Sequence, residues 1–424
     1  MLKQLRAYRQ LRVAFALTRV LPRYVLLLIR ERYSSQAPSE EAWNRAHQCA
    51  ANQLERLALD LAGGFTKVAQ VGGARADFLP KPFIDTLSQF HDRVPPRPFE
   101  TLRPIVEEDL AAPLDAVFAQ VDSQALAAAS LAQVHRAHLK DGTDVVIKIR
   151  YPEAHRTVPS DLASARFVAK IVQWLRPALD LSSVVGEVTN FVTLELDFER
   201  EAAATERFGK IFENDPRVRV PHVHRKYCGR RVIVLEYLEG IQVTRLDALR
   251  EAGHKPVDVA RRIGALYGDM IFGRGYFHGD PHPGNLLVLK DGRIGLIDFG
   301  LSKELPENFA TQVATMMVSA LIGDNDAAMA AAEQLGFAVE GLTSGSLRAL
   351  VLMIMGDSDG EQSFFEVLGE NEIREIPSHF GLVARTLVLL NGLSHRLAPG
   401  RRLIQGALLQ ELAQAVQKQT APRA

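Results

Sequence analysis

Three oxygen-bearing side chains stand at fixed spacing between His278 and Gly300. This stretch begins His-Gly-Asp-Pro-His-Pro-Gly-Asn and ends Leu-Ile-Asp-Phe-Gly. Phosphoryl transfer needs a carboxylate near the attacking group and oxygen ligands for a divalent cation beside the phosphates. An Asp, an Asn five positions later, and the Asp of Asp-Phe-Gly supply that set. We therefore predict that Asp280 is the catalytic base and that Asn285 and Asp298 hold Mg²⁺.

Two short strands should position these residues. Asn285 to Leu289 and Arg293 to Ile297 are apolar runs separated by a Lys-Asp-Gly turn, which is typical of a β-hairpin. The three oxygen-bearing residues would then lie at strand or loop ends. Because an Asp before an aromatic residue and a Gly is also an ordinary strand-to-turn signal, the prediction depends on the complete series.

Length and composition restrict the class of protein. A chain of 424 residues predicts two or three packed units, and 47% hydrophobic with 24% charged residues is typical of a soluble globular protein. Basic and acidic residues number 50 each, so no excess of positive charge indicates a nucleic-acid partner. Cys49 and Cys228 have no metal-ligand spacing, which predicts neither a disulfide framework nor a zinc site and favours a reducing compartment.

The first 32 residues form a basic amphipathic segment in which Glu31 is the single acid. Arg19, Pro22 and Arg23 interrupt its apolar stretch well short of the roughly 20 residues that a membrane-spanning helix needs. We expect no transmembrane segment. The apolar face packs on the rest of the protein, or it makes a peripheral contact with an anionic membrane surface. An organellar transit peptide is the third alternative.

Helical patterns precede a change to β-type patterns at Val117. Val117 to Leu126, Gln133 to Leu139 and Asp144 to Arg150 are predicted strands. The turn between the first two consists of Ala127, Ala128, Ala129 and Ser130. This is where the N-terminal lobe of a kinase covers the nucleotide phosphates. Lys148 lies in Val-Val-Ile-Lys-Ile, a context in which a strand lysine reaches the α and β phosphates.

The second half of the chain is mostly helix-patterned. One long helix is predicted over 182–212, followed by a strand from Val232 to Tyr237. The backbone at Glu236 and Tyr237 would hydrogen-bond an adenine ring. The predicted domains are a basic amphipathic segment at 1–40, a helical extension at 41–113, a kinase-like N-lobe at 114–240 and a helical C-lobe at 241–424.

Several motifs together resemble those of the UbiB/AarF (ADCK) family of atypical protein-kinase-like proteins. They are Ala-Ala-Ala-Ser-Leu-Ala-Gln-Val-His at 127–135, Val-Ile-Lys-Ile-Arg-Tyr-Pro at 146–152, Glu-Leu-Asp-Phe-Glu-Arg-Glu-Ala at 195–202 and the stretch 278–300. Lys67-Val-Ala-Gln70 resembles the Lys-x-Gly-Gln motif of the family, with alanine at position 69 in place of glycine. The resemblance covers residues 45 to 400. It implies an α+β, bilobal protein-kinase-like fold with an α-helical N-terminal extension over the active site.

The resemblance also implies roles for further residues. Those that would meet over the active site are Lys67, Gln70, Glu195 and Asp197. Glu201 would pair with Lys148, and the implied cofactors are ATP or ADP with Mg²⁺. An extension over the site would exclude an extended peptide, which argues against protein substrates.

The family is associated with ubiquinone and other prenyl-lipid metabolism. The resemblance therefore implies a lipid or quinone-precursor-like small molecule as partner of an ATP-dependent kinase or ATPase. Many members carry C-terminal spanning helices, and this sequence ends without such a pattern. We expect a cytoplasmic protein with, at most, peripheral contact with a membrane.

Two alternatives stay open. His278-Gly-Asp-Pro-His-Pro-Gly-Asn285 also resembles the catalytic loop of aminoglycoside and choline phosphotransferases, which phosphorylate small hydroxyl compounds. These enzymes have no use for the Lys67 and Glu195 motifs. The other alternative is a nucleotide-switched scaffold with little turnover.

Overall fold

The computed structural model of the chain describes residues 5–73, 79–87, 95–176, 181–338, 343–355 and 377–420. The chain divides into two compact units. The first comprises Met1–Arg200 and Val223–Tyr237, and the second comprises Glu201–His222 and Leu238–Ala424.

The first unit begins with an all-helical region, as the sequence predicts. Its helices are α1 (Arg6–Tyr33), α2 (Glu40–Leu61), α3 (Gly64–Gly73), α4 (Lys81–Leu87), α5 (Arg103–Leu110) and α6 (Leu114–Val117). Three more helices follow the first strands of this unit, namely α7 (Ala154–Leu175), α8 (Leu181–Glu195) and the start of α9 (Phe198–Ile211). The predicted break at Gly63 and Gly64 separates α2 from α3. Ser39 caps α2, because its side chain accepts a hydrogen bond from the backbone N–H of Ala42.

One antiparallel sheet forms the rest of the first unit. Its strands are β1 (Phe118–Val121), β2 (Ala127–Ala128), β3 (Ala132–Leu139), β4 (Asp144–Arg150) and β6 (Val232–Glu236). They are ordered β1-β3-β4-β6, and β2 also pairs with β3. Val145, Ile147 and Ile149 of β4 are fully buried on one face of the sheet. Because side chains alternate along a strand, Lys148 lies on the other face.

The prediction of one long helix over 182–212 is wrong, because α8 and α9 are separate helices. The carboxylate of Asp197 accepts the backbone N–H of Arg200 and thereby caps α9. The side chain of Arg150 donates a hydrogen bond to the carbonyl of Leu196 at the break. Phe198 then begins α9 and is buried. These contacts hold the break, although the apolar periodicity continues through it.

The N-terminal helix α1 passes through Pro22 without interruption. Its inward face contains the buried residues Arg9, Val13, Ala16 and Leu27 and contacts α2 and α7. This face agrees with packing of the basic amphipathic segment on the rest of the protein, although residues 1–4 lie outside the described residues. In the described part of the chain, no helix has the length and apolar character needed to cross a membrane.

The second unit is built mainly from helices. Those after α9 are α10 (Leu246–Glu251), α11 (Pro256–Gly268), a π-helical turn (Asp269–Gly273), α12 (Phe309–Ile322), α13 (Asn325–Gln334), α14 (Ser344–Met355), α15 (Ser378–Leu397) and α16 (Leu403–Thr420). Gly264 of α11 faces the backbone of Ile404, where a Cβ would come within 2.5 Å of the carbonyl oxygen. Glycine thus allows α11 and α16 to pack closely.

Short strands position the segment from His278 to Gly300 in the second unit. They are β5 (Val218–Arg219), β7 (Gly240–Gln242), β8 (Tyr276–His278), β9 (Leu286–Leu289), β10 (Ile294–Leu296) and β11 (Ser302–Glu304). One sheet has the order β5-β10-β9-β7, and β8 pairs with β11. The predicted hairpin is confirmed, since β9 and β10 are antiparallel and Val288 lies opposite Ile294.

Candidate active site

The second unit brings Asp280 and Asn285 together. Asp280 follows β8, and Asn285 ends a short 3₁₀ turn that leads into β9. The Asn285 side-chain N–H donates to the Asp280 carboxylate over 3.0 Å and to the Asp280 backbone carbonyl over 3.2 Å. The amide nitrogen is therefore committed to Asp280, which leaves the Asn285 Oδ1 as the atom suited to a cation.

Arg385 is a site residue that the sequence prediction missed. It lies on α15, and its guanidinium donates to Oδ1 of Asp280 over 3.0 Å and to the carbonyl of Gly279 over 3.3 Å. Asn285 and Arg385 thus hold opposite oxygens of one carboxylate. The only signal in the sequence is a lone arginine within the apolar run of α15.

Gly279 permits this approach of α15. A Cβ at this position would lie 2.8 Å from Leu382 and 2.9 Å from the carbonyl oxygen of Leu301. Any larger residue would therefore displace α15 or the chain after β10. The glycine of His-Gly-Asp is required by packing, because the arginine that contacts Asp280 is carried by the helix packed there.

His278, two residues before Asp280, contacts the backbone of Asp298 with its side chain. Its Nε2 lies 2.7 Å from the Asp298 carbonyl, which can only accept, so Nε2 carries the proton and Nδ1 accepts from the Tyr267 hydroxyl at 2.9 Å. Complete burial lowers the pKa of His278 and raises the pKa of Tyr267. Both rings are therefore neutral at physiological pH.

Asp298 has a left-handed backbone, with φ of 63°. This conformation is uncommon for a residue with a side chain, and surrounding structure must maintain it. Here the His278 imidazole holds the carbonyl of Asp298, and Phe299 is buried against the rings of Phe208 and His278. The Asp298 carboxylate accepts the N–H of Gly300 over 3.3 Å. Contacts of the Asp298 carbonyl, of its carboxylate and of the Phe299 ring thus fix the conformation of this turn.

The chemistry of this donor set fits Mg²⁺. Asn285 offers an amide oxygen and Asp298 a carboxylate, and Mg²⁺ commonly uses one or two such protein ligands together with substrate phosphates and water. Among the described residues, no group of three or more His, Cys, Asp and Glu side chains forms a metal site. Mg²⁺ bound with a nucleotide would neutralise phosphate charge at this position.

Glu201 lies near the Asp298 turn in the second unit. It is buried on α9, and its Oε2 is 3.9 Å from the place that a Cβ on Gly300 would occupy. The predicted pairing of Glu201 with Lys148 joins residues of different units and stays a prediction.

Lys148 occupies the centre of the sheet in the first unit. It lies opposite Val134 of β3 and Ile233 of β6, so strands on both sides fix its backbone. Its ammonium is 5.4 Å from the centroid of the buried Phe198 ring, a distance at which cation–π attraction operates. The predicted nucleotide lysine is therefore half-buried on a rigid strand.

The alanine-rich turn is more regular than a loop. Ala127 and Ala128 form β2 and pair with Val134 and Gln133, while the N–H of Ala129 donates to the carbonyl of Ala132 over 2.8 Å. None of the residues from 127 to 130 has a positive φ. The turn therefore closes in backbone conformations that ordinary residues adopt, and nothing in it requires glycine.

Gln133, which pairs with Ala128 of this turn, fixes it to the backbone of Arg97. Its side chain is completely buried, donates to the carbonyl of Arg97 over 2.9 Å and accepts the N–H of Arg97 over 2.8 Å. Ser130 lines a cavity of about 280 Å³ whose walls also include Arg9 and Glu153. The far end of the turn thus borders the N-terminal helix α1.

Glu236 and Tyr237 lie at the end of β6, where the sequence places the adenine contact. Glu236 is opposite Val145, and the N–H of Tyr237 donates to the carbonyl of Asp144 over 3.0 Å. Arg136 lies 4.3 Å from the centroid of the Tyr237 ring. Tyr237 is the last residue of the first unit.

The ammonium of Lys67 forms an ion pair with Glu195, which joins α3 to the end of α8. Both side chains are partly exposed, at 20% for Lys67 and 26% for Glu195. Ala69, at the position of the family glycine, is completely buried, so the structure accommodates its methyl group. Gln70 is half-buried on the same helix. Asp197 is exposed and caps α9.

Arg9 and Asp161 anchor the helix that carries Lys67. The Arg9 guanidinium contacts the Asp161 carboxylate at 2.6 and 2.5 Å and also donates to the carbonyl of Leu61 at the end of α2 over 2.8 Å. Asp161 accepts the N–H groups of Gly64 and Phe65 at the start of α3. A Cβ on Gly64 would lie 2.8 Å from Asp161. One buried carboxylate therefore fixes where α3 begins.

Burial opposes the charge of this carboxylate. It raises the pKa of Asp161 to about 6, although Arg9 and the two N–H groups of α3 act in the opposite direction. Sequence reasoning missed both residues of this pair, because Asp161 lies in a helical pattern without a motif.

Comparison with known proteins shows the family. Residues 89–332 match the ABC1 atypical kinase-like domain. AarF domain-containing kinase 1 of Drosophila melanogaster is 34% identical over 330 residues, which are 77% of this chain and 64% of that protein. The chloroplastic protein ACTIVITY OF BC1 COMPLEX KINASE 1 of Arabidopsis thaliana is 32% identical over 376 residues, which are 84% of this chain and 54% of that protein. The chain thus spans between about half and two thirds of these relatives.

A solved structure shares the fold. The structure described as the complex of Rv3197 with erythromycin from Mycobacterium tuberculosis superposes with a TM-score of 0.54 at 26% identity, covering 85% of this chain and 98% of that one. The α+β, kinase-like fold predicted from the sequence is therefore confirmed. Together with the domain match, this similarity shows that the chain belongs to the ABC1 atypical kinase-like family, which includes the AarF domain-containing kinases.

Proposed function

We propose that the protein is an ATP-dependent atypical kinase or ATPase that acts in or regulates quinone or other prenyl-lipid metabolism. The observation that carries the proposal is the arrangement of Asp280, Asn285 and Asp298, whose positions are held by hydrogen bonds before any ligand binds. Membership of an atypical kinase-like family supports a kinase or ATPase in general. The acceptor would be a small lipid-like or quinone-precursor-like molecule, or water.

The chemistry follows from the positions of these groups. An acceptor oxygen attacks the γ-phosphorus of ATP, the bond to the oxygen bridging to the β-phosphate breaks, and ADP leaves. The acceptor proton passes to Asp280. Because Arg385 and Asn285 each contact one oxygen of that carboxylate, its orientation does not depend on the substrate. Lys148 would neutralise charge on the α and β phosphates.

The ion pair between Lys67 and Glu195 supports a non-protein acceptor. It attaches the helix that carries the family motif to the end of α8 within the first unit. A phosphotransferase of the aminoglycoside or choline type has no use for such a motif. We infer that α3 restricts access to the nucleotide and that an extended peptide would be excluded.

Measurements of nucleotide binding test the assignment of the nucleotide site. Thermal-shift titrations with ATP and ADP, with and without Mg²⁺, should stabilise the wild type more than Lys148→Ala or Asp298→Asn. Lys140→Ala is a matched control, because Lys140 is an exposed lysine in the turn after β3. Equal stabilisation of all four proteins would remove the assignment of the nucleotide site.

Measurements of turnover test whether the protein is a kinase or ATPase that acts on or with a lipid-like molecule. Release of phosphate from ATP should be measured with and without lipid extracts, using Asp298→Asn as the inactive reference. Stimulation by extract in the wild type alone is the expected result. Nucleotide binding with no turnover under any condition would instead indicate a nucleotide-switched scaffold.

A further inference from the structure

The helix α1 has two faces of different character. The inward face packs on α2 and α7 through Arg9, Val13, Ala16 and Leu27. This packing uses only one side of a helix that is 28 residues long. In the part of the chain that the structure describes, the opposite side carries exposed residues.

The outward face is an apolar stripe, which we call the α1 stripe. Its large members are Leu11, Phe15, Leu26, Ile29 and Tyr33, each at least half exposed. The exposed fraction reaches 68% for Leu11 and 77% for Tyr33. Their spacing places them along one side of the helix. They form two groups, because the exposed Thr18 and Pro22 lie between Phe15 and Leu26. Large apolar side chains gathered on one exposed face often mark an interaction surface.

Positive charge follows one edge of the α1 stripe. Arg19, Arg23 and Arg30 are exposed, and the Arg19 guanidinium lies 4.1 Å from the centroid of the Phe15 ring. The single acid in this part of the sequence, Glu31, pairs over 2.7 Å with Arg176, which follows the last residue of α7. The edge therefore carries cations without a compensating carboxylate on α1.

We propose that the α1 stripe lies flat on a membrane surface that contains anionic lipids. Its apolar side chains would enter the boundary of the acyl chains, while the row of arginines contacts headgroup phosphates. From Leu11 to Tyr33 the stripe is about 33 Å long at the rise of an α-helix. Apolar side chains at both ends of a helix face of this length, with cations along its edge, suit a planar anionic surface.

This surface is separate from the proposed phosphoryl-transfer site. None of the residues of the α1 stripe is among those assigned to nucleotide, metal or catalysis. Failure of one proposal therefore leaves the other unchanged. Arg9, which anchors α3, lies on the inward face and is kept in every variant of α1 that tests the stripe.

Vesicle co-sedimentation of the full chain tests the proposal. Vesicles of phosphatidylcholine alone should be compared with vesicles that also contain about one third phosphatidylglycerol. Wild type should bind the anionic vesicles at low salt, and binding should fall as NaCl is raised, because screening weakens the contact between arginine and phosphate. Equal binding to both vesicles, or no binding to either, would overturn it.

Variants separate the apolar and the charged contributions. Replacing Arg19, Arg23 and Arg30 by Gln should lower the partition coefficient about a hundredfold, at about fivefold for each arginine. Leu26→Ser with Ile29→Ser should lower it at least about tenfold. The matched control is Leu321→Ser with Ile322→Ser on α12, whose side chains are 59% and 73% exposed on a helix without charged residues. A control that weakens binding as much as the α1 variants would overturn the proposal.

Three further measurements distinguish lipid binding from misfolding and from self-association. Thermal unfolding and far-UV circular dichroism should match wild type for all variants, because the replaced side chains are exposed. Sedimentation velocity without lipid should give the same species for wild type and the Leu26 and Ile29 variant. A wild-type dimer that this variant dissociates would assign the stripe to a second copy of the chain and overturn the lipid assignment.

Discussion

Arg385 contacts Asp280 across 105 positions of sequence, with a distance of 3.0 Å between a guanidinium nitrogen and Oδ1 of the carboxylate. Asn285 holds the other carboxylate oxygen at 3.0 Å. The predicted catalytic base is thus oriented by one residue inside its own loop and by one from a distant helix. Packing of α15 against Gly279 makes the second contact geometrically accessible.

Replacing Arg385 should affect turnover more than nucleotide binding. We expect Arg385→Met to lower kcat about 10- to 100-fold, because a base that has lost one of its two orienting contacts forfeits part of a contribution that is typically about 10²- to 10⁴-fold. The KM for ATP should change less than about threefold, since the guanidinium of Arg385 orients the predicted base Asp280. Arg385→Lys should recover part of the rate. Arg396→Met, an exposed arginine on the same helix, is the control. Equal loss in both would indicate a general effect on α15.

The Lys67–Glu195 ion pair should govern access to the nucleotide more than it governs stability. Lys67→Ala should lower native turnover and raise self-phosphorylation, because α3 loses its ion pair with the end of α8. Its effect on the free energy of unfolding should stay below about 1 kcal/mol, as for other partly exposed pairs. The charge swap of Lys67→Glu with Glu195→Lys should restore part of the wild-type behaviour.

The control for this pair is Lys81→Ala, an exposed lysine on α4. Autoradiography with labelled ATP and a phosphate-release assay provide the two readouts. If Lys67→Ala leaves turnover, self-phosphorylation and melting unchanged, Lys67 is a surface residue without a role in the site.

His278 should make the stability of the protein depend on pH in a defined direction. Burial lowers the pKa of the folded-state imidazole below its ordinary value of 6.5. As pH falls below about 6.5, the unfolded chain binds the proton first, so stability should fall by up to about 1.4 kcal/mol per pH unit until the folded-state pKa is reached. Above pH 7 this contribution should be constant.

Comparison with His278→Gln isolates this effect from other titrations. The free energy of unfolding in denaturant should be measured at several pH values for wild type, His278→Gln and Tyr267→Phe. Wild type and Tyr267→Phe should both lose stability relative to His278→Gln on acidification. A difference that is independent of pH, or of opposite sign, would contradict a buried neutral imidazole.

The alanine turn should tune nucleotide handling. Ala128 is in β2 with negative φ, and glycine would give it access to conformations that alanine rarely adopts. Ala128→Gly should change the affinity or turnover for ATP or ADP by more than about twofold, which is about 0.4 kcal/mol. It should cost no more than about 1 kcal/mol in stability.

Ala137→Gly on β3 is the matched control for the alanine turn. It makes the same substitution at a buried strand position outside the turn. Isothermal titration with both nucleotides measures affinity directly. If Ala128→Gly and Ala137→Gly give the same nucleotide parameters, the turn does not tune the site.

Strong local signals explain what the sequence predicts well. The bounds of β4, Asp144–Arg150, agree with the prediction because a Lys-Asp-Gly turn and an alternating apolar pattern define the strand. The hairpin that follows Asn285 has the same Lys-Asp-Gly turn, placed between two continuous apolar runs. The kinase-like α+β fold followed from the motifs and their order, and not from the composition.

The features that the sequence did not predict, such as the end of α8 and the role of Arg385, depend on contacts between residues distant in sequence. Helical periodicity continues through residues 196–197, and only the contact of Arg150 with the carbonyl of Leu196 and the cap by Asp197 show where α8 ends. In the sequence, Arg385 cannot be distinguished from an ordinary helix arginine. Its contact with Asp280 depends on the packing of α15 on Gly279. Such contacts depend on tertiary packing, which no window of local sequence contains.

The pairing of Arg9 with Asp161 has a consequence for the order in which the chain is synthesised. Arg9 emerges from the ribosome early, but its partner follows 152 residues later. Until then the start of α3 lacks the carboxylate that receives the N–H groups of Gly64 and Phe65. The helix that carries Lys67 can therefore reach its final position only after β4 and the first turns of α7 have been made, so an emerging chain would hold its N-terminal helices without this anchor.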